Sequence, residues 1–412
     1  MMDRTILHCD CNGFFASVEC LLRPELKNVP MAVCGNPENR HGIILAKNEL
    51  AKKYNIQTAE TLWQARKKCP DLVLVPPRHG EYEKYSSRVN RIYQDYTDRV
   101  EPFGIDESWL DVTGSLHLFG SGKEIADELR KRITQETGLT ISVGVSFNKV
   151  FAKLGSDYKK PDATTVIDRS NYQNLIYPLP VTDLLFVGKA AKAVLSQLYI
   201  STIGDLARSD KQVISARLGK MGEMIHDYAN GLDDAPVKSV TEANDIKSIG
   251  NGMTFKRDLV GLSDITLSVN TLADSVASRM RKYGVKCSTV QVTIRDPQFK
   301  NICRQKALKT PTHLAKEISA TALEIIKGCW NMKDPIRMLT ITGSHLMMKD
   351  EIYTEQLCLF EDNCDDKRQK QEQLESALDK IRGKFGRKSI SFGSALHNTL
   401  GINDPETEDS DD

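Results

Sequence analysis

The sequence predicts an α+β multidomain protein, on three observations. A chain of 412 residues is too long for a single hydrophobic core, so two to four domains are expected. Up to residue 170, short strand runs and helical runs mix. From 171 to 235 the pattern is helical with short turns, and from 247 to 348 alternating and helical runs mix again.

Residues 5–9 (TILHC) read as a short buried strand, and 14–22 have helical spacing. MAVCG (31–35) and GIILA (42–46) read as strands, 47–54 and 61–68 as helices, and LVLVP (72–76) as another strand. Tyr82, Tyr85, Val89, Ile92, Tyr93 and Tyr96 form one apolar stripe on a long helix over 81–98, read as core with no chemistry. In VEPFGIDESWLDVT (100–113) two β-prone stretches flank a break at Ile105-Asp106-Glu107, the pattern of a hairpin. A charged helix is expected at 121–137, a strand at 140–146 and a lysine-studded helix at 148–158. DDAPVKSVTEAND (233–245) reads as a polar linker. Beyond it, strands are expected at 288–296 and 337–346 and helices at 263–282 and 311–328. A charged helical stretch (365–384) and a disordered acidic terminus complete the chain.

The bulk numbers are those of an ordinary globular protein, with 40% apolar and 27% charged residues. No run of 18 apolar residues exists to span a membrane. The ten cysteines are scattered without paired C-x-x-C spacing, so a cytoplasmic protein in a reducing compartment is expected. The net charge of +1 hides an uneven distribution. Residues 241–350 hold 17 Lys/Arg against 10 Asp/Glu, a net of +7, whereas the last ten residues hold six acids and no base. A basic segment in a neutral chain suggests a polyanion partner, although lysines and arginines can equally serve to solvate a surface.

Four constellations carry candidate chemistry. Asp10 ends the first strand and Asp106-Glu107 sits at the hairpin tip, so three carboxylates can converge on one point of a sheet. Hard oxygen donors of this kind suit Mg²⁺, and two such ions can clamp an in-line phosphoryl displacement. Alone, an Asp after a strand is usually a cap. In GVSFNKVFAKLGSDYKKP (144–161), Lys149, Lys153 and Lys160 lie along or just after one helix, where they can meet triphosphate charge or simply solvate the helix. The turn Val187-Gly188-Lys189, within a helical hairpin over 179–207, can present backbone N–H groups to DNA phosphate or be an ordinary helical turn. EQLCLFED (355–362) places Leu357, Leu359 and Phe360 in an acidic setting, as a docking peptide would, or as a strand packing back on the body would. The C-x-C flanking Asp10 lacks further soft ligands, so its thiols are not expected to bind metal.

In this order, ILHCDCNGFFASVE, GIDESWLDVT, GVSFNKVFAK…KKP, the 179–207 hairpin and KSIGNGMTFKRDL (247–259) resemble the blocks of the Y-family translesion DNA polymerases, most closely the bacterial DinB type. The resemblance implies a right-handed polymerase. Its palm would be residues 1–18 and 79–170, its fingers 19–78, its helix-hairpin-helix thumb 171–235 and its linker 236–245. An α+β little finger would follow at 246–350, then a tail (351–412) with a clamp-binding peptide and the acidic terminus. The implied function is error-prone DNA-directed synthesis, adding dNTPs to a primer 3′-OH on primer–template DNA by two-metal phosphoryl transfer, by a monomer without proofreading.

The same resemblance implies residue roles. Asp10, Asp106 and Glu107 would hold two Mg²⁺ ions with the Cys11 carbonyl. Phe15 would be the steric gate against a ribose 2′-OH, and Phe14 would pack beneath or beside the incoming nucleotide. Lys52 and Lys160 would meet the triphosphate, and Gly188 and Lys189 the DNA. Gln356, Leu357, Leu359 and Phe360 would dock into the sliding clamp. Several positions depart from the family pattern. Ala46, Glu49 and Lys52 stand where many relatives have Ser or Thr, Tyr and Arg, with Lys47 as a substitute triphosphate ligand. Phe186 stands at the hairpin's usual first glycine, and Gly104 replaces a common serine. Two rival readings differ in class: a non-catalytic DNA- and clamp-binding protein on a polymerase scaffold, and another palm-type phosphoryl-transfer enzyme such as a nucleotide cyclase.

Overall fold

A computed structural model of the chain describes residues 3–35, 42–242, 246–348, 365–386, 389–391, 393 and 398–402. The chain divides into two compact units, one ending at Ala243 and one running from Asn244, apart from residues 36–41, which are not described.

The first unit begins with β1 (Ile6–Cys11), α1 (Phe14–Leu22), β2 (Met31–Cys34), β3 (Ile44–Lys47), α2 (Glu49–Lys52), α3 (Leu62–Lys68) and β4 (Val73–Val75). It continues with α4 (His79–Gln94), β5 (Val100–Pro102), β6 (Glu107–Asp111), α5 (Leu116–Phe119), α6 (Gly122–Thr137), β7 (Ile141–Ser146), α7 (Lys149–Tyr158) and β8 (Thr164–Ile167). Five helices follow: α8 (Tyr172–Ile176), α9 (Lys189–Gln197), α10 (Ile203–Arg208), α11 (Lys211–Leu218) and α12 (Lys220–Ala229). One sheet has the order β5-β6-β1-β7-β8, and a smaller one the order β3-β2-β4.

β1 lies at the centre of the larger sheet, and the two-residue alternation of a strand sorts its side chains. Leu7, Cys9 and Cys11 face a core that includes Tyr82 and Tyr93 of α4 and Ile125 and Leu129 of α6. Ile6 and His8 face α7, through Ala152 and Ser156 respectively. Asp10 is on the α7 side with them. Local signals set the helix ends. Ser121 and Glu124 form a capping box on α6, and Gly138 closes that helix in the left-handed conformation at φ 76°. Asn148 caps α7 through the Phe151 N–H at 2.8 Å.

Gly144 brings α7 close to the sheet. A Cβ there would lie 1.9 Å from the Ala152 carbonyl oxygen and 2.5 Å from the Ser156 nitrogen. Gly144→Ala therefore has to displace α7 and the lysines it carries. It is expected to destabilise the unit by about 3 kcal/mol or more, read by urea denaturation. A change within about 0.5 kcal/mol would mean that the helix is free to move.

The stretch read as a linker is anchored over its first half. The Lys238 N–H donates to Glu101 Oε2 at 3.0 Å and the Val240 N–H to the Asp98 carbonyl at 3.0 Å. Val237 is fully buried in a cluster with Ile6, Trp109 and Ala152.

The second unit contains β9 (Ser248–Leu259), α13 (Gly261–Lys282), β10 (Val285–Arg295), β11 (Asn301–Thr312), α14 (Ala315–Cys329), β12 (Ile336–Met348) and α15 (Asp365–Phe385). Its antiparallel sheet has the order β11-β10-β12-β9, and residues of α13 and α14 complete its core. The helix expected over 311–328 begins only at Ala315, because β11 runs to Thr312. The charged helical stretch expected over 365–384 is α15. α15 docks on the unit through Arg281, which meets Glu375 at 2.5 Å and Asp379 at 2.6 Å. Leu400 and Ile402 are buried in the same core.

Candidate active site

The register of β1 and β6 sets Asp10 directly opposite Glu107. Paired positions on neighbouring antiparallel strands share a face, so both carboxylates lie on the α7 side. The tip of the hairpin is tied to β1 by the Cys11 N–H, which donates to the Asp106 carbonyl at 3.0 Å. Two strands adjacent in space and far apart in sequence thus bring Asp10, Asp106 and Glu107 to one end of the sheet.

Each strand carboxylate is met by a lysine from the α7 segment. Lys160 Nζ stands 2.7 Å from Asp10 Oδ2 and 2.7 Å from Asp157 Oδ1. Lys153 pairs with Glu107. His8 is fully buried, with Nδ1 2.8 Å from Ser156 Oγ and Nε2 3.2 Å from Glu107 Oε2. Among the described residues, no three His, Cys, Asp or Glu side chains stand together at metal-ligand geometry.

The protonation pattern follows from this packing. Burial pushes Asp10 up to about 6, against the pull of Lys160. Asp106 is raised by burial and then by the charge of Glu107. Burial also acts to raise Glu107, but hydrogen bonds from His8 and Lys153 outweigh it and hold that carboxyl at about 2. His8 itself is pushed down by burial, which exceeds the help from Glu107. We therefore take Lys153 as the charge that holds Glu107 ionised. The result is a carboxylate cluster under mutual repulsion, restrained by two lysines.

Phe14 and Phe15 differ in burial. Phe14 is only 2% exposed and belongs to the main core. Phe15 is part-buried, with its ring stacked on Tyr82 at 4.2 Å and 14°. The Tyr82 hydroxyl donates to Glu19 Oε1 at 2.8 Å. Glu19 is fully buried and also accepts from Arg78 at 2.6 Å and Arg23 at 2.7 Å. Sequence reasoning missed this support, having assigned the Tyr82 stripe to plain core. The available signal was Glu19 itself, an acid on the buried face of α1 that requires partners.

Of the other candidate positions, Lys47 and Glu49 line one groove with Asn12 and Gly13, next to Cys11. Lys52 is paired with Glu49 at 2.5 Å, and Lys47 Nζ donates to Thr58 Oγ1 at 3.1 Å. Ala46 packs against the small core around Met31 and Val33. Gly188 caps α9 and Lys189 opens it, both exposed. Gln356, Leu357, Leu359 and Phe360 lie outside the described residues.

Family models match the chain in two places. The impB/mucB/samB family matches residues 9–157, and the C-terminal domain of that family matches 246–357. The chain is 47% identical to DNA polymerase IV of Acetivibrio thermocellus over 395 residues, covering 96% of this chain and 98% of the relative. It is 37% identical to DNA polymerase IV of Clostridium kluyveri, covering 96% and 99%. A solved Y-family DNA polymerase chimera shares the fold with a TM-score of 0.74 at 22% identity, over 84% of this chain and 99% of the other.

The relatives, matched over nearly the whole chain, define the class as a template-directed nucleotidyltransferase. The chain belongs to the Y-family of DNA polymerases, in its DinB branch, the DNA polymerase IV type. It is a DNA-directed DNA polymerase of the translesion and repair class, so the non-catalytic and cyclase readings fall away. Among the described residues no helix is long and apolar enough to cross a membrane.

Proposed function

We propose that this chain extends a primer 3′-OH with dNTPs by two-metal phosphoryl transfer, error-prone and without proofreading. The observation that carries the proposal is the register of Asp10 against Glu107, with Asp106 adjoining them at the hairpin tip. The donor set fits a hard divalent cation: carboxylates and one strand-end carbonyl, with no thiol on that face. Burial and mutual repulsion raise Asp10 and Asp106, which a cation would relieve. Asp10, Asp106, Glu107 and the Cys11 carbonyl would hold two Mg²⁺. When bound, these ions would lower the pKa of the primer hydroxyl and neutralise the triphosphate.

The chain's own groups do the rest. Lys160, released from Asp10, offers its charge to the triphosphate. Lys52 can do the same only by leaving Glu49. The Phe15 ring, backed by Tyr82, excludes a sugar with a 2′-OH, and Phe14 packs beneath or beside the incoming nucleotide. Gly188 and Lys189 meet the DNA backbone. The divisions follow: palm 1–18 and 79–170, fingers 19–78, thumb 171–235, linker 236–245 and little finger 246–350. The net +7 of residues 241–350 supports DNA grip by the last of these. Primer extension with Mg²⁺ and dNTPs tests the whole proposal. Absent extension with DNA binding preserved would refute it.

We further assign 356–360 to the sliding clamp, for a polymerase acting as a monomer in the cytoplasm. Deleting 356–360 is expected to remove most clamp-stimulated synthesis and leave basal synthesis within about twofold, in extension assays with and without clamp. Equal loss of both would make the segment structural.

A further inference from the structure

His8 lies at the centre of the larger sheet, paired in register with Trp109 on one side and Gly144 on the other. It is fully buried, and its ring meets the Trp109 ring edge to face, at 5.3 Å and 62°. Its two nitrogens face different elements. Nδ1 stands 2.8 Å from Ser156 Oγ on α7. Nε2 stands 3.2 Å from Glu107 Oε2, the oxygen that also accepts from Lys153, and among the described residues it has no aligned hydrogen bond. A buried nitrogen left in this way is costly to the fold. Its orientation toward a carboxylate of the site points to a role there.

Hydrogen-bond accounting decides which nitrogen carries the proton. Ser156 Oγ is also 2.8 Å from the Lys153 carbonyl, and its single hydrogen serves one neighbour at a time. For a neutral ring there are two arrangements. If the hydroxyl hydrogen goes to the carbonyl, Nδ1 must carry the ring proton, and a bare Nε2 faces the Glu107 carboxylate, lone pair against lone pair. If it goes to Nδ1, the proton sits on Nε2 and faces Glu107. The Lys153 carbonyl loses little in the second arrangement, because the Asp157 N–H serves it within α7.

We propose that His8 is a positioning residue for Glu107: its Nε2–H, set by the Ser156 hydroxyl on Nδ1, donates to Oε2 and fixes the carboxylate for the cation. This rests on the metal site assigned under Proposed function. The imidazole suits the task better than Lys153 does. Its ring is rigid, held by Trp109 and Ser156, whereas an ammonium on a flexible stem attracts a carboxylate without fixing its direction. The donor also comes from β1, the strand that carries Asp10, so it sets Glu107 relative to Asp10. Carboxylates that ligate metals are themselves hydrogen-bonded, and losing such a partner costs about 10- to 100-fold in metal affinity.

The wild-type chain by itself tests the placement of the proton. In nitrogen NMR spectra of histidine-labelled protein, with His8 assigned by the signals lost in His8→Gln, Nε2 is expected to carry hydrogen. A His8 ring protonated on Nδ1 alone would overturn the proposal. Mn²⁺ binding tests the consequence, followed by electron paramagnetic resonance on the chain with primer–template and a non-hydrolysable dNTP. His8→Leu is expected to weaken it by about tenfold or more, and His8→Gln, whose amide still donates, to stay within about threefold. Primer–template affinity, carried by phosphate contacts, is expected to stay within about twofold in both variants. Unchanged Mn²⁺ affinity in His8→Leu would overturn the proposal. So would an equal loss in His8→Gln, or a matching loss of DNA affinity, since either would make the ring part of the fold. The unaltered chain in primer extension with Mg²⁺ keeps the two questions apart: if it fails to extend, the assigned activity fails; if it extends while His8→Leu binds Mn²⁺ as tightly, only the role of His8 fails.

Discussion

Asp106→Ala is expected to abolish primer extension, by roughly 10³-fold or more, while DNA binding stays largely intact. The backbone at Asp106 is held independently of the side chain, since its carbonyl accepts from the Cys11 N–H at 3.0 Å. The hairpin should therefore survive the substitution. The side chain itself stands in an environment that disfavours its charge, through burial first and then Glu107. Removing it costs the fold little and can relieve repulsion, so the loss belongs to chemistry. Single-nucleotide extension and a binding titration on the same primer–template check this. Retained extension would remove Asp106 from the metal-binding set.

Phe15→Ala is expected to lower discrimination against ribonucleotides by roughly 10²-fold, measured as the ratio of kcat/KM for a dNTP and its rNTP. A gate must be rigid to reject one added hydroxyl. The stacking of Phe15 on Tyr82 at 4.2 Å supplies that rigidity, and Glu19 fixes the phenol at 2.8 Å. An alanine leaves open space where the ring stood. Unchanged sugar selectivity would place the gate on another side chain.

Much of the first unit is legible in its sequence. The apolar runs at 5–9 and 140–146 fall on β1 and β7, and of the break expected at 105–107, Ile105 and Asp106 fall on the turn between β5 and β6 while Glu107 already opens β6. Such runs announce themselves because both faces of these strands are covered. β11 escaped notice because it is an edge strand whose Arg304, Lys306 and Lys309 are exposed, a composition that reads as polar loop. In HCDC the residue types were plain, but only the pleat shows that Cys9 and Cys11 face the core while Asp10 faces α7. The pairings of Lys153 with Glu107 and of Tyr82 with Glu19 join residues 46 and 63 positions apart. No local periodicity encodes such partners. Burial explains why Glu19 needs Arg78 and Tyr82, and burial is a property of the fold.

The most direct measurement is an anomalous-scattering map of crystals of the chain with primer–template, a non-hydrolysable dNTP and Mn²⁺ in place of Mg²⁺. The expected result is two peaks among Asp10, Asp106, Glu107 and the Cys11 carbonyl, with Lys160 turned from Asp10 to the triphosphate. A map with nucleotide bound, no peak at these carboxylates and Lys160 still paired with Asp10 would contradict it.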